Sequence, residues 1–424
     1  MRIERHIRKR VHFKRRRDFY KYKIGDFFYG LRYYWQEYLV SAGILKNSVF
    51  TGPTLVQIDL TNKCNSKCLV CWQRSPYLGE LRATGEWENQ EISFTRIISL
   101  LRELKKMGTK KIFFSGGGEP LMYPRFWKVI SYAKKMGFVC ILSSNFTLVD
   151  REKAKIFIDL NFDHINVSLW AATPETYMRV HLGRDKECFY RTKDILRFIY
   201  EHKKIKHLPH MNIYNVIFKE NFYEVDKMVE LAFEVGADSI QFVPMDPVVG
   251  KTDFLLLNYR EREIVKEKLK MIKQKLLDDN PENKRGPNLF ICDYEDFLRR
   301  LSNEKADKGE YDSLVKDIPC YIGWDFMRIT ANGDVYPCLK VNVPVGNIYE
   351  EDLLKIWYGE KQRIFRKLAK EKKENTYFSP QRCSLSCDNL AQNIILQKQI
   401  VSLSKLDKMF MYFLNYYVFS EKIY

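Results

Sequence analysis

From residue 54 onward, short apolar runs alternate with longer segments whose apolar residues recur every three to four positions. The short runs, at 55–60, 111–115, 139–143, 164–169, 211–218 and 239–243, read as β-strands. Between them, 94–107, 124–136, 150–159, 188–202 and 222–235 read as amphipathic helices. Three of these end in glycine, in "KKMGT", "KKMGF" and "FEVGAD", the usual C-terminal stop. Six strands alternating with helices predict parallel βαβ units in an α/β fold, with a sheet covered by helices. Periodicity leaves open whether that sheet closes as a partial barrel.

The flanks have a different texture. Residues 1–53 form an N-terminal extension with an aromatic helical stretch, "FFYGLRYYWQEYLV", at 27–40. The alternating domain spans 54–258. A further helix at 259–277 and the polar break "DDNPENKRGPN" at 278–288 make a helix and linker, 259–288. A second module, 289–390, is richer in turns and cysteines. The tail, 391–424, is helical, with "MFMYFLNYYVF" at 409–419.

At 424 residues and 46% hydrophobic, the chain can bury a large core in two or three domains. No run approaches the roughly 18 apolar residues of a membrane-spanning helix. The basic N-terminus has no apolar segment behind it, so no secretory signal is expected and the chain reads as cytoplasmic. There, ten unevenly spaced cysteines point to metal or redox chemistry rather than disulfides. Net charge is +18, and residues 1–23 hold eleven Lys/Arg against Glu4 and Asp18. Such an arm suits nucleic acid, an anionic membrane surface or an acidic partner; a solvated helix is the plainer reading and is preferred.

"CNSKCLVCW" (64–72) places Cys64, Cys68 and Cys71 directly after the first strand, at the end where α/β folds keep their chemistry. Zinc wants a fourth Cys or His, and the nearest histidines in sequence are His12 and His164. Three thiolates around a [4Fe–4S] cubane leave one iron open for a small molecule. One βα unit later, "FFSGGGEPL" (113–121) ends the second strand. Its glycines bring backbone close to a ligand, and Glu119 offers a carboxylate to an ammonium. The alternative is a plain glycine turn.

These segments resemble the radical S-adenosylmethionine superfamily, whose signature is C-x3-C-x2-C on the loop after the first strand of a partial (βα)6 TIM-like barrel. The resemblance covers 54–245, with "FVPM" (242–245) similar to the last barrel strand. It implies that the open iron chelates S-adenosylmethionine. Reductive cleavage, with electrons from flavodoxin or ferredoxin, would then give a 5′-deoxyadenosyl radical that abstracts a substrate hydrogen. It assigns Gly117, Gly118, Glu119 and Pro120 to the cofactor's amino group. Asn145 in "LSSN" and Ser168 in "NVSLW" are carried over to the ribose and carboxylate. Where relatives place an arginine for the carboxylate, this chain has His181, flanked by Arg179 and Arg184. Val70 stands where the family commonly has an aromatic residue, with Trp72 two positions on.

Downstream, Cys320, Cys338, Cys383 and Cys387 make the count of a closed site. "NGD" predicts a hairpin turn that brings Cys320 and Cys338 together, and the later C-x3-C pair can complete a [4Fe–4S] cluster or a zinc site. The pattern resembles the SPASM or shorter twitch extension of radical enzymes, with cysteines here for one auxiliary cluster. Cys140 reads as core. A closed cluster carries electrons, which suits oxidation. Epimerisation instead needs a hydrogen donor such as Cys188 or Cys292.

Relatives with such extensions act mainly on peptides, small carbohydrates or aminocyclitols, and protein side chains. The expected reaction is oxidation, epimerisation or cross-linking of a carbohydrate-type or peptide substrate. The N-terminal extension is too short and helical for a winged-helix leader-binding domain. The basic arm and aromatic tail suggest peripheral contact with an anionic membrane. A non-catalytic iron–sulfur or zinc protein that binds nucleic acid is the alternative, but it gives no reason for an open iron beside a Gly-Gly-Glu-Pro loop. A tRNA-modifying radical enzyme would bring an RNA-binding domain, which is not recognisable here, so no specific nucleic-acid partner is expected.

Overall fold

The computed structural model describes residues 11–12, 27–205, 207–277, 289–372 and 387–402. Most of the basic arm, the linker 278–288, Cys383 and the segment 409–419 lie outside the described residues.

All six expected strands form: β1 (Leu55–Ile58), β2 (Lys111–Phe114), β3 (Val139–Ser144), β4 (His164–Ser168), β5 (His210–Ile217) and β6 (Ser239–Pro244). So do the five helices α1 (Phe94–Lys106), α2 (Phe126–Lys135), α3 (Arg151–Asp159), α4 (Lys186–His202) and α5 (Val225–Glu234). Helix α1 shows why. Ile97, Leu100, Leu101 and Leu104 recur at helical spacing and are all buried. The Ser93 hydroxyl accepts from the Arg96 N–H and caps the start. Gly108, at φ +89°, supplies the left-handed stop. Asp150 and Asp185 cap α3 and α4 as Ser93 caps α1.

Two compact units result. One comprises Met1–Tyr22, Asp59–Glu91 and Phe113–Tyr311; the other comprises Lys23–Ile58, Ile92–Ile112 and Asp312–Tyr424. In the first unit, β3, β4, β5 and β6 pair in parallel in that order. After α6 (Tyr259–Leu277), a further strand, β7 (Leu289–Cys292), pairs in parallel with β6. It is followed by α7 (Tyr294–Leu301). The sequence boundary at 289 assigns β7 to the cysteine-rich module, whereas it extends the parallel sheet. All four of its residues are buried, which a sheet covered on both faces provides.

Register divides the faces of this sheet. Ile165, Val167, Met211, Ile213, Ile240 and Phe242 are buried on one. On the other, Ser143, Asn166, Asn212 and Ser239 form one row, and Ser168, Tyr214, Gln241 and Cys292 the next. The buried amides satisfy one another: Asn212 Nδ2 donates to Asn166 Oδ1 at 2.9 Å, and the Ser239 hydroxyl to Asn212 Oδ1 at 2.8 Å.

In the second unit β1 pairs in parallel with β8 (Phe326–Ile329), which pairs antiparallel with β9 (Asp334–Tyr336). The expected hairpin is present, with Gly333 at φ +91° closing a three-residue loop. The chain's last described helix is α8 (Leu390–Ser402). Among the described residues, no helix is long and apolar enough to cross a membrane.

Candidate active site

The loop that carries Cys64, Cys68 and Cys71 is held from several sides. The Arg74 guanidinium donates to the Asn62 carbonyl at 2.5 Å and pairs with Glu88. The Asn62 amide donates to the Trp87 carbonyl at 3.0 Å and to Gln90 Oε1 at 3.1 Å. Leu69 and Val70 lie in an apolar cluster with Val180, Phe218, Met245, Leu255 and Tyr311. Val70, in the position where an aromatic residue is common, is therefore core. The Trp72 indole N–H donates to the Asp246 carbonyl at 2.9 Å.

The glycine run makes room for this loop. A Cβ on Gly116 would meet Asp59 Cγ at 1.9 Å, one on Gly117 Asn62 Oδ1 at 2.4 Å, and one on Gly118 the Lys63 carbonyl oxygen at 2.3 Å. Beside them the Glu119 N–H donates to the Lys63 carbonyl at 2.8 Å. Glu119 is buried, and its carboxylate accepts from Ser144 Oγ at 2.7 Å, the Asn145 N–H at 2.8 Å and the Leu121 N–H at 3.1 Å. Burial pushes its pKa up, and those donors restrain the rise. Three donors on two oxygens leave acceptor capacity for one further group. Pro120 opens the short turn that follows.

A strap from the far side of β4 completes the enclosure. Lys67–Cys68 pairs antiparallel with His181–Leu182, with Cys68 opposite His181. His181 Nε2 lies 2.9 Å from the Leu169 carbonyl and Nδ1 3.1 Å from Cys68 Sγ. Burial drives its pKa down to about 4, so the ring is neutral at pH 7. Nε2–H therefore donates to the carbonyl, and the unprotonated Nδ1 faces Cys68 Sγ. Trp170 and Tyr177 flank the ring at 5.1 and 4.8 Å. Arg184 donates to the Asn65 carbonyl at 2.5 Å and to Ser66 Oγ at 2.8 Å. Asn145 Nδ2 donates to Asn65 Oδ1 at 2.8 Å. Arg179 is more exposed and lies 3.9 Å from Glu220. Ser168 stands at the end of β4, in the same sheet row as Tyr214 and Gln241.

His181, Asn145 and Arg184 thus all engage the cysteine loop itself. Asn65, Ser66, Ser144 and Tyr177 are site residues that sequence reasoning passed over. Asn65 and Ser66 sit inside the cysteine motif, and their polar character was the available signal. Ser144 lies in the "LSSN" segment beside Asn145, and Tyr177 had no such signal.

Burial outweighs Arg184, which lowers the Cys68 pKa, and Arg74, which lowers that of Cys64. Burial, and then the neighbouring Cys71 and Cys64, raise the Cys68 pKa well above its ordinary value. Cys64 is pushed up to about 11, chiefly by burial. Among the described residues, no three Cys, His, Asp or Glu groups stand together as a site for a single metal ion. Converging thiols that raise one another's pKa fit a cationic iron–sulfur core, which takes them as thiolates.

In the second unit, Cys338 is buried while Cys320 and Cys387 are half-buried. Cys338 and Cys320 pack in one apolar cluster with Ile322, Phe326 and Phe365, and Cys387 is raised well above its ordinary value by burial, then by Cys338 and Cys320. The Cys387 N–H donates to Asp312 at 2.9 Å. Cys383 lies outside the described residues. Of the remaining cysteines, Cys140 is core, Cys188 is buried at the start of α4, and Cys292 ends β7 in the row of Ser168.

A parallel sheet that ends in a three-cysteine loop and a glycine shelf, with a second cysteine set beyond it, defines a class of iron–sulfur radical enzymes. Residues 58–232 match the Radical SAM superfamily, and 320–388 match the SPASM iron–sulfur cluster-binding domain. The chain is a radical SAM enzyme with a SPASM domain. Its cofactors are S-adenosylmethionine and a [4Fe–4S] cluster, with further iron–sulfur in the SPASM domain. Enzymes of this superfamily generally need a reductant such as flavodoxin or ferredoxin.

Among particular relatives, the chain is 25% identical to the tungsten-containing aldehyde ferredoxin oxidoreductase cofactor-modifying protein of Pyrococcus furiosus, over 78% of this chain and 88% of that one. It is also 25% identical to the AdoMet-dependent heme synthase of Methanosarcina barkeri, over 75% and 85%. In fold it is similar to Streptococcus suis SuiB bound to S-adenosylmethionine, with TM-score 0.56 and 18% identity over 77% of this chain and 70% of that one.

Proposed function

We propose that this chain oxidises a peptide or carbohydrate-type substrate by removing a hydrogen atom and passing the remaining electron to a second cluster. The observation that carries this reading is the presence of two separate cysteine sets: Cys64/Cys68/Cys71 on the loop strapped by His181, and Cys320 and Cys338 in one apolar cluster with Asn389, two residues after Cys387, beside Cys338. The first set has three thiols and leaves an iron for the cofactor; the second, with Cys383, has four and closes. S-adenosylmethionine bound at the first cluster supplies the group that takes the hydrogen atom. Cys64, Cys68 and Cys71 hold that cluster. Glu119 offers its remaining acceptor capacity to the cofactor's ammonium, with Gly117, Gly118 and Pro120 shaping the approach. Ser168 faces the ribose from the end of β4. His181 and Asn145, expected at the cofactor's carboxylate and ribose, instead brace the cysteine loop. Arg184 is the nearer cation for a carboxylate. We assign the barrel domain to 54–258 and the auxiliary domain to 289–390, with β7 as the barrel's extension into the latter range.

A second reading has support from the relatives, since both curated ones are named for modifying or making a cofactor. In that reading the substrate is a preassembled organic cofactor. The test is anaerobic reconstitution followed by assay of 5′-deoxyadenosine with flavodoxin or ferredoxin as reductant. Deuterated peptide, sugar and tetrapyrrole candidates are then supplied in turn. Deuterium transfer into 5′-deoxyadenosine from one class assigns the substrate. Absence of 5′-deoxyadenosine from fully reconstituted enzyme would sink the reading.

A further inference from the structure

Helix α8 presents an amide to one of the auxiliary thiols, and the backbone settles which way that amide faces. The Tyr321 N–H donates to Asn393 Oδ1 at 2.8 Å. This turns Asn393 Nδ2 toward Cys320 Sγ, at 3.8 Å. Asn393 is only 4% exposed. One helical turn later the Tyr321 hydroxyl donates to Gln397 Oε1 at 2.6 Å, and Leu396 packs with Tyr321 and Trp324. The helix is therefore fixed to the backbone that carries Cys320. One turn earlier, Asn389 Nδ2 lies 3.8 Å from Cys338 Sγ. Two of the three described thiols in this set thus face a side-chain N–H.

We propose that Asn393, assisted by Asn389, is a positioning residue that acts through Cys320 to set the reduction potential of the auxiliary cluster. This rests on the reading that Cys320, Cys338, Cys383 and Cys387 hold a [4Fe–4S] cluster. An amide donates at any pH, so its N–H dipole always presents a positive end to the thiolate sulfur. Reduction adds negative charge to the cluster, and a donor on sulfur stabilises the reduced form more than the oxidised one. The potential is thereby raised, which suits a cluster that must accept the substrate's electron.

The test uses the full chain carrying Cys64/Cys68/Cys71→Ala, so that only the second cluster remains. Iron and sulfide are counted, and the potential is measured by an EPR-monitored redox titration. Asn393→Asp keeps the acceptor for the Tyr321 N–H and replaces the donor facing Cys320 with an oxygen. It is expected to retain the cluster and shift the reduction equilibrium toward the oxidised form on the order of tenfold, about 59 mV for one electron. Asn393→Ala is expected to shift it in the same direction by less. An unchanged potential in Asn393→Asp at full iron content would overturn the proposal. Loss of iron from both variants would also overturn it, because the asparagine would then hold the fold rather than set a potential. A parent chain that binds no iron would instead overturn the cluster reading, before either asparagine variant is compared.

Discussion

Gly118 faces the tightest backbone contact of the glycine run, because the atoms a side chain would meet are the Lys63 and Thr61 carbonyl oxygens, at 2.3 and 2.7 Å. A peptide carbonyl has no rotamer with which to step aside. Gly118→Ala must displace the loop that carries Cys64, at a cost of about 1–3 kcal/mol of stability. The reconstituted protein should hold less iron at the three-cysteine site, read as a lower iron count with the second cluster's signal unchanged. Glu119→Gln tests the neighbouring group differently. An amide there can accept with one oxygen but must point its NH2 at Ser144 Oγ or at the Asn145 N–H, which are 2.7 and 2.8 Å away. Leaving the Asn145 N–H without an acceptor costs about 1–3 kcal/mol. Binding of S-adenosylmethionine, followed by calorimetry on the cluster-loaded protein, should weaken at least tenfold while iron content holds. The cysteines and glycines were legible because their chemistry is local, within one loop of each other. The role of His181 was not, since its partner Cys68 is 113 positions away and only the paired strands bring them together.

At the scale of elements, the strap from His181 to Arg184 works by closing on the cysteine loop. Arg184→Ala removes the donors to Asn65 O and Ser66 Oγ and leaves the short paired strands in place. The cluster should then be lost faster to a chelator, measured as the decay of its visible absorbance, with the wild-type rate as reference. A second element junction is electrostatic. Asp238, just before β6, accepts from Lys203 Nζ at 2.9 Å and from the Met211 N–H at 2.9 Å. Burial alone would raise its pKa, but His207, His210, Lys203 and that N–H outweigh it and hold it at about 2. A depressed carboxylate stabilises the fold fully above its unfolded pKa, near 3.9, and loses that contribution as pH falls toward 2. Asp238→Asn should therefore cost about 3–5 kcal/mol at pH 7, because Lys203 is left buried without its charge partner. In denaturant titrations the gap between the two proteins should narrow by about 2–3 kcal/mol as pH falls from about 5 toward 1. Helices and strands were readable from spacing, cap and glycine stop. Strand β7 was misplaced because four apolar residues after a polar linker carry no mark of the sheet they will join.

Across the whole molecule, the two cysteine sets belong to different compact units, Cys64/Cys68/Cys71 in one and Cys320/Cys338/Cys387 in the other. Chain order alone separated them, and the expectation of an open site against a closed one rests on the count of three cysteines against four. What the order could not show is how each set is tied down. The first is held by Arg74, Asn145, His181 and Arg184, the second by Asp312, Asn389 and Asn393, and most of these lie far along the chain from the cysteines they serve. Since none of the first group serves the second set, removing the first three thiols should leave the second cluster intact. Cys64/Cys68/Cys71→Ala is therefore expected to keep about half the iron and sulfide of the wild type, four irons of eight. It should show one Mössbauer quadrupole doublet set instead of two and form no 5′-deoxyadenosine under any reductant. The reciprocal variant, Cys320/Cys338→Ala, should also keep about half the iron, and it should still cleave S-adenosylmethionine. With no second cluster to take the substrate's electron, its yield of oxidised product per 5′-deoxyadenosine should fall. If the reciprocal variant oxidised substrate with undiminished yield, the second cluster would have no part in electron transfer.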